Sequence, residues 1–207
     1  MVWMTRFSLI GLVVVGLACG AQSEDEAINP PDAQGVFGVG HTSFTATDTD
    51  RDERALLVDV WYPTDAKADD ATPKVTYALS ALFGLESEVA VSEAAVSSRE
   101  GQTLLVFSHG YGGIHLQSID LMEALASHGF IVASAEHTGN AQASLTDTFD
   151  VAASNRVPDV SFLIDTMLSR SSDAEDLFYN RISAQGVGVL GHSFGGMTAI
   201  GSAAGWA

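Results

Sequence analysis

Residues 186–207 read GVGVLGHSFGGMTAIGSAAGWA. A short apolar run, Val187 to Leu190, leads into Gly191-His192-Ser193-Phe194-Gly195, and a small-residue segment follows. A buried strand that enters a helix through Gly-x-Ser-x-Gly holds its serine on a sharp, strained turn. Gly191 and Gly195 are the near neighbours whose side chains would otherwise collide with strand or helix. The turn lifts the Ser193 hydroxyl above the sheet. It also leaves the Phe194 amide free at a helix N-terminus, where negative charge is favoured. In a chain with 20 glycines the five-residue pattern alone is weak, and its place between strand and helix gives it weight.

A second stretch has matching chemistry. Ser108-His109-Gly110-Tyr111-Gly112-Gly113 follows another buried strand, Thr103 to Phe107. Acyl transfer needs a second amide donor facing the tetrahedral oxyanion, and a loop at this place supplies it. The candidate oxyanion donors are therefore the N–H groups of Tyr111 and Phe194. Gly110, Gly112 and Gly113 let the backbone approach a substrate. No Gly-Lys-Ser/Thr follows them, which argues against a phosphate-cradling loop.

Around these motifs the chain alternates strand and helix. Val36 to Thr47 and Ala55 to Tyr62 read as strands joined by a polar turn, residues 48–53. Asp48, Asp50 and Asp52 alternate there as calcium ligands would, but the further ligands of a calcium loop are missing, so the stretch reads as a solvated hairpin turn. Pro63 to Pro73 reads as loop. The apolar spacing from Tyr77 to Val91 suggests one or two short helices. Leu116 to His128 reads as an amphipathic helix with Gly129 just past its end. Phe130 to Ala135 is a strand. Val157, Val160, Leu163, Ile164, Met167 and Leu168 lie on one helical face. Gly186 to Leu190 is a third short strand, and Phe194 to Ala204 is helical. Strands alternating with helices mean a parallel sheet with crossover helices, here preceded by an antiparallel hairpin.

Lys and Arg number 9 against 26 Asp and Glu, a net charge of −17, which argues against nucleic acid and anionic membrane surfaces as partners. The N-terminus has the layout of an export signal. Arg6 precedes an uncharged, mostly apolar run from Phe7 to Cys19, short for the roughly 20 residues of a membrane span. Cys19 is the only cysteine, so no internal disulfide forms. Leu17-Ala18-Cys19-Gly20 resembles a bacterial lipoprotein cleavage site, with Cys19 becoming the lipidated N-terminus. Residues 1–19 are thus expected to be a signal peptide and 20–35 a flexible tether. Residues 36–207 are expected to be the domain, in a protein exported from a bacterial cytoplasm and either anchored to a membrane as a lipoprotein or, if Cys19 is not lipidated, periplasmic or secreted.

Several stretches carry a family resemblance. Residues 105–137, LVFSHGYGGIHLQSIDLMEALASHGFIVASAEH, resemble the platelet-activating-factor acetylhydrolase family of α/β-hydrolases and the related predicted dienelactone hydrolases. Val60-Trp61-Tyr62-Pro63-Thr64, residues 155–163 and Gly191-His192-Ser193-Phe194-Gly195-Gly196 are similar to that family as well. The resemblance covers about residues 36–207. It implies an α/β-hydrolase fold with Ser193 as nucleophile. It also implies hydrolysis of carboxylic esters, often with short acyl groups, with neither metal nor cofactor.

In that fold the triad follows the order Ser, then Asp or Glu, then His. Phe194 to Ala207 contain no Asp, Glu or His. Of the upstream histidines, His109 is expected to order the glycine loop, and His115, His128, His137 and His192 to be structural. Loss of the histidine costs a measured serine protease about a factor of 10⁶ in kcat. Residues 1–207 alone are therefore expected to be nearly inert, as the N-terminal portion of an ester hydrolase whose acid and base lie beyond Ala207. The rival reading is a non-catalytic, lipid-anchored binding protein that keeps the pocket. Phospholipid, small-ester and polyester substrates all remain open, with residues 74–100 and 138–155 framing the pocket mouth.

Overall fold

A computed structural model describes residues 33–69, 72–80 and 82–206. Cys19 and the export segment lie outside the described residues. The elements follow in chain order as β1 (Gly38–Asp48), β2 (Arg54–Thr64), β3 (Lys74–Ser80), β4 (Phe83–Ser92), β5 (Leu104–Ser108), α1 (Ile119–Ser127) and β6 (Ile131–Ala135). Then come β7 (Asn140–Ala141), β8 (Ser144–Leu145), α2 (Phe149–Ser172), β9 (Gly188–Gly191) and α3 (Phe194–Ala204). The main sheet has the order β3-β4-β1-β2-β6-β5-β9. β1 and β2 form the antiparallel hairpin, and β6, β5 and β9 run parallel.

Apolar residues on both faces of the central strands divide the core in two. On one side Leu104, Val106, Ile131, Ala133 and Ala135 pack with Val160, Leu163 and Met167 of α2. On the other, Phe107 and Val132 pack with Ile119, Met122 and Ala126 of α1. The helix expected from Leu116 begins only at Ile119, because residues 115–118 form a turn, with Gln117 N–H donating to Ile114 C=O. Past its end, Gly129 takes φ +99, and the amides of Gly129 and Phe130 close onto the carbonyls of Ala126 and Leu125.

Residues 77–91 differ from the helical expectation: they belong to the antiparallel hairpin β3–β4. Val75 and Tyr77 are buried on alternate positions of β3, the period of a strand, while Leu82 and Phe83 at the hairpin tip are exposed. The Tyr77 hydroxyl accepts from Trp61 Nε1–H at 2.7 Å and donates to Glu123 Oε1 at 2.8 Å, fastening the hairpin to β2 and α1. The polar turn after β1 is a hairpin turn as expected, with Asp48 accepting from Asp50 N–H and Arg51 Nε–H. At the other end, residues 33–35 of the expected tether already dock on α1, where Gly35 N–H donates to Ser127 Oγ at 2.8 Å and Ala33 C=O accepts from His128 Nε2 at 3.0 Å.

A buried polar chain ties the hairpin to the sheet. Asp59 on β2 meets His41 Nε2 at 2.5 Å and His115 Nε2 at 2.7 Å, and His115 Nδ1 meets Glu136 at 3.0 Å. Burial opposes the charge on His115, but both ring nitrogens donate to carboxylates, and these outweigh burial and raise its pKa from 6.5 to about 9. The folded state thus holds a proton that the unfolded chain releases above pH 6.5. This stabilisation is complete below pH 6.5 and is lost as pH rises through about 9. Urea midpoints should therefore fall over that window in the protein and fall less in His115→Gln. Equal slopes would contradict the assignment.

Candidate active site

The two sequence motifs meet because β5 and β9 are parallel neighbours in register, with Ser108 opposite Gly191. Both strands end at one level, and the loops that follow them emerge side by side. Ser193 caps α3 with φ 53 and ψ −114, a conformation that L-residues adopt at a cost of about 1–3 kcal/mol. Neighbouring contacts hold it there. His192 N–H donates to Ser108 C=O at 3.2 Å, and Gly195 N–H to His192 C=O at 2.8 Å.

The elbow glycines are required by space. A Cβ on Gly195 would lie 1.8 Å from the Ser108 carbonyl oxygen, and one on Gly191 would lie 2.3 Å from the Gly195 backbone. The loop glycines have separate tasks. Gly110 N–H donates to Gln117 Oε1 at 2.9 Å, Gly113 N–H donates to Gly110 C=O at 3.1 Å, and Gly112 turns the chain at φ +62.

Ser193 is exposed, and its hydroxyl has no hydrogen-bond partner among the described residues. The amides of Tyr111 and Phe194 donate to no described group either. The residues that carry these amides touch: their rings lie 5.7 Å apart between centroids, and Phe149 stacks on Tyr111 at 6.1 Å. Gln117 ties the loop to the elbow, its Oε1 on Gly110 N–H and its Nε2 donating to His192 Nδ1 at 2.8 Å.

Each histidine has a partner other than Ser193. His109 accepts from His137 N–H at Nε2, so its proton is on Nδ1, which donates to Gly110 C=O at 2.7 Å. Burial, and then the neighbouring His137, lower its pKa to about 3, so it stays neutral and orders the loop. His137 lies between Ser108 Oγ at 2.9 Å and Asp159 Oδ2 at 2.9 Å. Ser108, His137 and Asp159 thus have the bonding order of a catalytic triad, yet they are 0%, 2% and 0% exposed. No substrate reaches that hydroxyl, which also accepts from Arg156 Nη1 at 3.2 Å. Burial lowers the pKa of His137. Burial would raise that of Asp159, but bonds from Arg54 and His137 outweigh it and hold the carboxyl well below its usual range. The serine, histidine and aspartate therefore form a structural brace.

Sequence reasoning passed over this brace and the two α2 residues that build it, Arg156 and Asp159. The available signal was two charged residues three apart within the buried stripe of α2, beside Val160 and Leu163. Near the loop, Ile114, His115, Leu116 and Glu136 line a cavity of about 370 Å³ with Leu79 and Gln142. Segments 74–100 and 138–155 both contribute to it, whereas Ser193, Tyr111 and Phe194 do not line it. Among the described residues no cluster of His, Cys, Asp and Glu is arranged to hold a metal ion.

The sheet order, the elbow and the paired loops are those of an α/β-hydrolase. The chain belongs to the platelet-activating factor acetylhydrolase, isoform II family, whose model matches residues 71–175. That span includes the glycine loop and α2, and the elbow lies after it. Among solved structures, the chain is similar to the ferulic acid esterase from Streptomyces cinnamoneus, with 25% identity and a TM-score of 0.64. The match covers 86% of this chain and 58% of the esterase chain. No curated protein matches the sequence.

The elbow makes a direct stability prediction. Gly195→Ala should cost about 3 kcal/mol through overpacking against the Ser108 carbonyl, read from urea unfolding. A loss below about 0.5 kcal/mol would mean that the contact is not tight.

Proposed function

We propose that this chain carries the nucleophile and oxyanion hole of a carboxylic ester hydrolase that works through an acyl-enzyme on Ser193. The observation that carries this reading is an exposed serine at φ 53 beside two amides, of Tyr111 and Phe194, that have no described partner. Family membership and the esterase neighbour support the same reaction class.

In this reading Ser193 Oγ attacks the ester carbonyl carbon as a base removes its proton. The carbonyl oxygen becomes an oxyanion held by the two amides. Collapse of the adduct breaks the C–O bond and expels the alcohol with that proton. Water then attacks the acyl-enzyme and releases the acid. One oxyanion donor is worth about 2.7–4 kcal/mol in a measured protease, so a strained turn costing about 1–3 kcal/mol is offset in the transition state.

Each described histidine is committed elsewhere, so in this proposal no described residue acts as the base for Ser193. The substrate is a small-molecule or lipid ester with a short acyl group, which the acetylhydrolase family suggests. Cys19, lipidated after export, anchors the enzyme to a membrane.

In the full-length protein, Ser193→Ala should abolish turnover of a p-nitrophenyl ester and labelling by a fluorophosphonate probe. Turnover that survives the substitution would sink the nucleophile assignment, and a wild type with neither property would favour a non-catalytic binding protein. Separately, mass spectrometry of the mature protein should find diacylglycerol on Cys19. A free N-terminus at Ala21 or later would mean simple secretion.

A further inference from the structure

Asn155-Arg156-Val157-Pro158-Asp159 on α2 has a task beyond packing. Arg156 is 1% exposed and makes no ion pair with a carboxylate among the described residues. Its guanidinium instead donates to neutral oxygens. Nε and Nη2 hold Asn140 Oδ1 at 3.1 and 2.6 Å. Nη1 donates to Ser108 Oγ and to the His109 carbonyl, and Nη2 donates to the Gly110 carbonyl at 3.0 Å. The guanidinium carbon, Cζ, lies over the Phe194 ring, 4.7 Å from its centre. Burial lowers its pKa to about 10, which leaves it charged at neutral pH.

The Gly110 carbonyl is the informative partner. It accepts from Arg156 Nη2–H at 3.0 Å, from His109 Nδ1–H at 2.7 Å and from Gly113 N–H at 3.1 Å. This carbonyl and the Tyr111 N–H belong to one peptide unit. No described peptide is cis, so the N–H points away from the carbonyl. Three donors on one side thus aim the Tyr111 N–H towards the other, where no described group accepts it. A charged donor on the oxygen also polarises the peptide and strengthens its N–H as a donor. Through Phe194, the same guanidinium supports the residue that carries the second amide.

We propose that Arg156 is a positioning residue for the oxyanion hole: it fixes and polarises the Gly110–Tyr111 peptide so that the Tyr111 N–H faces the reacting carbonyl oxygen above Ser193. The inference rests on the esterase reading given above. Arg156 touches no substrate. It sets the direction and strength of a group that does, and Asn140 holds it in place from behind.

The test uses full-length wild type, Arg156→Gln and Arg156→Lys with a short-chain p-nitrophenyl ester. Active sites are counted by fluorophosphonate labelling driven to completion. The readouts are kcat per counted site, KM, and inhibition by an alkyl trifluoromethyl ketone, which forms a tetrahedral adduct on the serine. Arg156→Gln should lower kcat per site about 100-fold, the loss seen when an oxyanion donor is removed, with KM within about threefold. Inhibition by the ketone should weaken by a similar factor. Arg156→Lys keeps a charge but loses the fork, and should lose about tenfold on the same two readouts.

A fall only in the number of counted sites, with kcat per site and ketone inhibition unchanged, would reduce Arg156 to packing and overturn the inference. If Arg156→Gln does not fold, the two ratios in Arg156→Lys decide. A wild type without turnover or Ser193 labelling would remove the esterase reading and this inference together. An active wild type with unaffected variants would remove the inference alone.

Discussion

The Ser108 carbonyl and the α-carbon of Gly195 stand so close that a single methyl group between them would lie 1.8 Å from the oxygen. The rest of the site depends on this approach. It brings the end of β5 against the first turn of α3, which forces Ser193 to φ 53 and sets the Phe194 amide beside the glycine loop. Parallel pairing of β5 with β9, Ser108 opposite Gly191, supplies the register. A slip of one residue would turn Leu190 and Val189 to the wrong faces of the sheet and separate the two loops. The core on either side of β5, with Val106 facing α2 and Phe107 facing α1, makes such a slip costly.

Behind this junction lies a buried polar brace running from Arg54 through Asp159 and His137 to Ser108, with Arg156 beside it. Its members satisfy one another, which is the condition for burying polar groups without a large desolvation loss. The brace also separates two meanings of a serine–histidine–aspartate chain. Ser108 has the hydrogen bonds of a nucleophile and no access to substrate, whereas Ser193 has access and strain but no described base. Access and backbone conformation, rather than the hydrogen-bond chain, distinguish the two serines.

Much of this was legible in the sequence because local signals agreed with the fold. β-Branched and aromatic residues marked β1 and β2, short apolar runs bounded by glycine marked β5 and β9, and the apolar stripe of α2 kept its helical period. The β3–β4 hairpin was not legible. Its tip, Ser-Ala-Leu-Phe at 80–83, lacks the Gly, Asn or Asp that normally marks a turn, and its exposed Leu82 and Phe83 mimic a helical face. Both glycine motifs could be read from local pattern, since strand, turn and helix are contiguous in sequence. The brace could not, because Arg54, Ser108, His137, Arg156 and Asp159 come from β2, β5, the loop after β6 and α2, and meet only in the folded chain. A charged pair on a buried stripe shows that a partner exists without naming it.

The two serines offer the most direct test of the central claim. Full-length protein would be treated with a dialkyl p-nitrophenyl phosphate, digested, and mapped by tandem mass spectrometry. The account predicts a stoichiometric phosphoryl adduct on Ser193 and none on Ser108. An adduct on Ser108, or no adduct in a protein that hydrolyses esters, would contradict it.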